Sequence, residues 1–139
     1  MKRILVDTGP LVAIFSPQDR QHETCVHTLR ELPGPLLTCW PVITEAAWLL
    51  RPAPRAVQQL LGIIDGGFLE LLPLAGAEAP SIAKIMQKYE DIRPQLADAA
   101  LVYVADREKI ETIFTLDRRD FAIYRSGRGH TLRIIPEVE

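Results

Sequence analysis

Cysteine is scarce in this sequence: 139 residues contain two, Cys25 and Cys39, with no CxxC spacing and no paired histidines beside them. A disulfide framework is therefore excluded, and a thiolate zinc site has too few ligands. The three histidines, His22, His27 and His130, show no HExxH spacing and read as surface or structural residues. Aromatics make up 6% of the chain, too few for a platform on which bases stack. No apolar run approaches the ~20 residues that cross a bilayer. Asp7 interrupts the basic-then-apolar start too early for a secretory signal. Nor is there a Gly-rich phosphate loop, a nucleophile elbow or a cysteine beside a histidine. These absences predict a soluble cytoplasmic protein with free thiols, no membrane contact and no side-chain nucleophile.

What is present is ordinary in amount and uneven in placement. Hydrophobic residues are 47% and charged residues 24%, close to the globular average. The length suits one domain over residues 1–139, large enough to bury roughly 70% of its unfolded surface without covalent staples. A net charge of −2 argues against non-specific nucleic-acid binding over the whole surface. Yet residues 118–133 hold Arg118, Arg119, Arg125, Arg128 and Arg133 against Asp120, a local +4 that leaves −6 for the rest. An acidic body carries a basic C-terminal stretch.

Short β-like runs alternate with helical ones, which predicts a parallel sheet flanked by helices. Strands are expected at Ile4–Val6, Leu36–Cys39, Phe68–Leu72, Thr112–Leu116 and Thr131–Ile135. Helices are expected over Leu11–Phe15, Gln21–Glu31, Pro41–Leu50, Ala56–Ile64, Ser81–Tyr89 and Pro94–Glu108, bounded by Pro and Gly. The fold class is α/β, an α/β/α sandwich around a mostly parallel sheet of about five strands.

Four carboxylates stand out against this pattern. Asp7 and Asp117 each follow an apolar strand, at the carboxyl end where α/β folds form their ligand crevice. A turn or helix N-cap is the plainer use of Asp at such a place. Asp98 is the lone charge in Leu96–Ala105, and Glu45 the lone charge in Val42–Leu50. Helices apolar on every side are expected to be buried, and an unpaired carboxylate inside one costs several kcal/mol, on the order of 3–5. A structural ion pair is the competing explanation, but neither stretch has a cation at helical spacing. Carboxylates gathered without cations repel one another and call for added positive charge. A hard divalent cation with oxygen ligands, Mg²⁺ or Mn²⁺, meets that need. Such an ion supports hydrolysis of a phosphodiester.

The segments Ile4-Leu5-Val6-Asp7-Thr8-Gly9-Pro10-Leu11, Thr44-Glu45, Leu96-Ala97-Asp98-Ala99-Ala100-Leu101-Val102 and Thr115-Leu116-Asp117-Arg118-Arg119-Asp120-Phe121 resemble the PIN-domain ribonucleases. The resemblance is closest to toxins of the VapC type and runs from residue 3 to about residue 135. It implies an acidic cluster of Asp7, Glu45, Asp98 and Asp117 that binds Mg²⁺ or Mn²⁺ and cuts RNA, leaving a 5′-phosphate and a 3′-hydroxyl. Asp120 is a further or alternative ligand, and Thr8 and Thr115 are hydroxyls placed to orient a carboxylate or water. The implied partners are RNA, a cognate antitoxin and a second copy of the chain. Related sequences often carry another acid where this chain has Gln95, which adds no charge and weakens the case for a second metal.

In that setting Arg118, Arg119, Arg125 and Arg128 are expected to hold RNA phosphates beside the acids; a solvated loop is the alternative use of the same residues. Asp91 reads as a peripheral acid or a loop residue. Phe15, Trp40, Trp48 and Tyr124 read as core or oligomer contacts. A non-catalytic PIN-like binding module remains a second reading. A phosphatase-type phosphoryl-transfer domain is a third, although it usually needs an acid two residues after Asp7, where Gly9 stands.

Overall fold

The structure, a computed structural model, describes residues 2–137, so both ends of the expected 1–139 domain lie outside the described residues. Five three-residue strands are β1 (Ile4–Val6), β2 (Leu36–Thr38), β3 (Leu69–Leu71), β4 (Thr112–Phe114) and β5 (Arg133–Ile135). They form one sheet in the order β3-β2-β1-β4-β5, with every pairing parallel. β1, β2 and β4 are buried along their whole length, as strands covered on both faces must be. Their β-branched and leucine side chains suit that environment.

Among the described residues seven helices connect and cover the sheet: α1 (Thr8–Ile14), α2 (His22–Glu31), α3 (Trp40–Leu49), α4 (Pro54–Asp65), α5 (Ala79–Lys88), α6 (Leu96–Glu108) and α7 (Arg118–Phe121). Three (α1, α4 and α5) begin two or three residues earlier than the sequence pattern predicts, because proline interrupts a helix interior but not a first turn. Pro10 and Pro80 lie inside the first turns of α1 and α5, and Pro54, expected to stop α3, instead opens α4. The single turn of α7 falls in the basic C-terminal stretch, where the sequence pattern predicts no helix.

α6 behaves as its composition predicts, burying Ala97, Ala99, Ala100, Leu101, Val102, Val104 and Ala105. α3 does not. Val42, Ile43 and Ala46 are buried, but Trp40, Trp48 and Leu49 face solvent, with Trp48 63% exposed. An apolar composition does not distinguish a buried face from an uncovered one. Tyr124 belongs to the core, packed edge-on against both Phe121 and Tyr89.

The order of the strands decides where a ligand goes. From β1 the chain steps outward through β2 to β3, then crosses back to β4 and β5 on the other side. The direction of winding reverses between β1 and β4, and a crevice opens beyond the carboxyl ends of strands at such a reversal.

Candidate active site

Asp7 and Asp117 stand on either side of that reversal. The Asp7 backbone N–H donates to the Phe114 carbonyl at 2.9 Å, carrying the β1–β4 ladder one residue past the strand. Its carboxylate is held at both ends: Oδ1 accepts from the Thr8 N–H at 2.8 Å, and Oδ2 from the Thr115 hydroxyl at 2.8 Å. The same Thr115 oxygen accepts from the Asp117 N–H at 3.0 Å. One buried hydroxyl thus links the two acids. Asp117 Oδ1 in turn accepts from the Asp120 N–H at 3.1 Å. Asp7 is the N-cap of α1 and Asp117 the N-cap of α7. The plainer use of these residues, capping, is therefore real, and it coexists with their place at the crevice.

Glu45 comes from α3 and Asp98 from the first turn of α6, where its Oδ2 accepts from the Gln95 N–H at 3.3 Å. Asp7, Asp19, Glu45, Asp98, Asp117 and Asp120 all line one cleft of about 540 Å³. Glu45 and Asp98 are half-buried rather than enclosed, Glu45 from the middle of α3 and Asp98 from the first turn of α6. Among the described residues none of the six carboxylates is in an ion pair. Arg107, a distant candidate partner for Asp98, is taken up by Glu78 at 2.6 Å, Glu108 at 2.9 Å and the Pro73 carbonyl at 2.8 Å. Arg51, near Glu45 in sequence, stacks 3.6 Å from the Trp48 ring centroid and donates to the Trp48 carbonyl.

The electrostatic result is a cleft short of positive charge. Burial, opposed by the Thr115 and Thr8 hydrogen bonds and reinforced by Glu45 and Asp117, lifts the Asp7 carboxyl to about 6. Burial and then the charge of Asp7 lift Asp98 to about 7, with Asp117 and Glu45 adding to the rise. Asp120 is also raised, by burial and by Asp117. Behind the cluster the buried Tyr124 hydroxyl has no hydrogen-bond partner and is pushed up by burial and by the charge of Asp98. The two thiols are free, buried and pushed up to about 11 by desolvation, so neither is a ready nucleophile.

The donor set fits a hard divalent cation. Every candidate ligand is an oxygen, the charges are unbalanced, and the Thr8 hydroxyl at the cleft is buried without a partner. Among the described residues no three His, Cys, Asp or Glu side chains already meet at a ready-made ion site.

The arginines separate. Arg118 and Arg119 lie on α7 beside Asp117 and Asp120. Arg125 turns back onto the carbonyls of Ala122 and Ile123, each at 2.8 Å. Arg128 lines a second cleft of about 360 Å³ with Lys109, His130 and Arg133. Gly127 and Gly129 serve that loop: a Cβ at Gly127 would meet Asp106 Oδ2 at 2.8 Å, and Gly129 has φ +82°. Asp91 is exposed in a short 3-10 turn, Glu90–Ile92, and does not line the carboxylate cleft. Two cleft residues escape the sequence reading, Asp19 and Arg93, because each lies in a polar turn where an exposed charge is unremarked.

An open parallel sheet whose crevice is walled by carboxylates is an arrangement that several classes of α/β domain share, and the comparisons with known proteins narrow it. The PIN-domain family profile matches residues 4–126. The chain belongs to the PIN-domain family. It is 33% identical over 135 residues to Ribonuclease VapC26 of Mycobacterium tuberculosis, covering 96% of this chain and all of that one. Its fold is similar to the crystal structure of VapC20 of M. tuberculosis, a sarcin-ricin-loop-cleaving toxin. The TM-score is 0.79 at 18% identity, over 86% of this chain and 94% of that chain.

Proposed function

We propose that this protein is a divalent-metal-dependent endoribonuclease and the toxin of a toxin–antitoxin pair. The observation that carries the reading is six carboxylates lining one cleft with no ion-pair partner among the described residues. The likeness to Ribonuclease VapC26 along the whole of that chain supports RNA as substrate. In this reading Asp7, Glu45, Asp98 and Asp117 hold the ion, Mg²⁺ or Mn²⁺, with Asp120 beside them. The bound cation supplies a Lewis acid and a water of lowered pKa.

The chain's own residues do the positioning. Thr115 and the Thr8 N–H fix both oxygens of Asp7, so its carboxylate keeps one orientation as charge builds at the phosphate. The Gln95 N–H holds one Asp98 oxygen and leaves the other for the cleft. Hydrolysis adds water across the phosphodiester, leaving a 5′-phosphate and a 3′-hydroxyl. Arg118 and Arg119 on α7 are placed to hold flanking RNA phosphates.

The resemblance to VapC-type toxins implies a cognate antitoxin as a further partner. The uncovered Trp40, Trp48 and Leu49 of α3, with Phe68, support a homodimer. Free buried cysteines suit the cytoplasm; among the described residues no helix is long and apolar enough to cross a membrane.

The test is incubation of the purified protein with a defined RNA and with a small phosphate ester, with and without Mg²⁺ or Mn²⁺, followed by mapping of the RNA ends. Metal-dependent cutting that Asp98→Asn abolishes is the expected result. Hydrolysis of the ester alone would favour a phosphatase, and RNA bound but uncut would favour a non-catalytic binding module.

A further inference from the structure

Arg93 is the only cation among the described residues that line the carboxylate cleft. Its backbone is unusual, with φ 51° and ψ 61° in the left-handed region. That region costs a residue with a Cβ, and glycine reaches it freely. The next residue is Pro94, whose ring pushes the residue before it toward extended backbone. The strain is thus compounded.

Nothing in the protein answers for an arginine at this point. Its guanidinium makes no hydrogen bond and no ion pair among the described residues, although six carboxylates line the same cleft. Only its backbone N–H is engaged, by the Glu90 carbonyl at 3.1 Å. A side chain that is exposed, unpaired and carried on strained backbone adds no stability that glycine would not exceed. Arg93 closes its 3-10 turn in the left-handed conformation that Lys109 also takes at the end of α6, so it is the unpaired cation lining the cleft that points to a ligand. The ligand must be anionic, and must present oxygens to the planar fork of a guanidinium.

We propose that Arg93 contacts a backbone phosphate of the RNA lying in the carboxylate cleft. The acidic walls repel a polyanion, and one unpaired guanidinium on the rim gives the strand a point of attachment beside the acids. This assignment rests on the ribonuclease reading for the identity of the ligand. Arg93 is the cation that enters through the turn before α6, on the opposite side of the Asp98 position from α7 in sequence.

The experiment compares the whole protein with Arg93→Gly and Arg93→Lys. Binding of a fluorescent single-stranded RNA is followed by anisotropy in EDTA, where no cutting occurs, between 50 and 200 mM salt. Cleavage kinetics are then measured with Mg²⁺. In Arg93→Gly the RNA Kd is expected to rise several-fold, and the slope of log affinity against log salt to fall by about 0.7, the share of one single-strand phosphate contact. KM should rise more than kcat falls. Arg93→Lys should recover the salt slope but only part of the affinity, since an ammonium lacks the fork. The melting temperature of Arg93→Gly should equal or exceed that of the wild type. Unchanged affinity and slope in Arg93→Gly would overturn the proposal, as would a drop in melting temperature large enough to explain the lost binding. Wild-type protein that binds RNA without cutting it would sink the ribonuclease reading alone, while the anisotropy data would still decide Arg93.

Discussion

Asp7 and Asp98 carry a stability cost that reverses the usual behaviour of a protein carboxylate. Both are raised in the folded state, Asp7 to about 6 and Asp98 to about 7, so the native form binds protons that the unfolded chain has released. Stability then falls as pH rises from about 4 through 7. For the nearly enclosed Asp7 the rise is worth about 3 kcal/mol, and the half-exposed Asp98 contributes less because water screens it. Denaturant melts in EDTA at pH 5 and pH 8 should therefore show the metal-free protein more stable at pH 5. Asp98→Asn should flatten the difference and be the more stable protein at pH 8, since it gives up only the 3.3 Å bond from Gln95. A large destabilisation instead would mean the acid is a structural ion-pair partner.

Thr115→Val tests the link between the acids. It leaves an Asp7 oxygen and the Asp117 N–H without their partner, at a cost of about 1–3 kcal/mol. It also removes a bond that lowers the Asp7 carboxyl, so the acid limb of a pH–rate profile should move to higher pH. The four acids stood out in the sequence because Asp7 and Asp117 end apolar strands while Glu45 and Asp98 are lone charges within apolar helices. Asp19 and Arg93 were not, for a charge in a polar turn carries no such contrast.

At the scale of elements, the same carboxylates are load-sharing parts of the fold. Asp117 caps α7, a helix too short to persist without its cap. Asp117→Asn and Asp117→Ala should both abolish cutting, while only the alanine variant loses about 1 kcal/mol in chemical denaturation. Equal losses in the two would remove capping from the account. α7 was invisible in the sequence because one turn has no periodicity to read. The strand and long-helix pattern was legible because β1 and β4 are buried throughout and α6 buries seven of its thirteen residues. The exposure of α3 was not, since a sequence marks apolar residues without marking what covers them. If a second copy covers α3, Trp48→Ser should shift the protein toward monomer in sedimentation velocity, and an unchanged mass would place the partner surface elsewhere.

The whole molecule is expected to respond to metal as a single cooperative unit. Mg²⁺ or Mn²⁺ at a hundredfold excess over its Kd stabilises the folded state by about 2.7 kcal/mol. The melting temperature of the wild type should rise accordingly, and that of Asp98→Asn should hardly move. Equal shifts in both would locate the ion outside the carboxylate cleft.

The Thr115–Asp7 hydrogen bond joins residues 108 positions apart, and β1, at the centre of the sheet, gains its second neighbour only when β4 arrives. During synthesis the chain emerges amino end first, at about 5–20 residues per second. Asp7 must wait for residues 112–115 before its partner strand and hydroxyl exist. A chain synthesised only as far as α6 therefore lacks an assembled cleft, because Asp117 and the Thr115 hydroxyl that holds Asp7 have yet to be made.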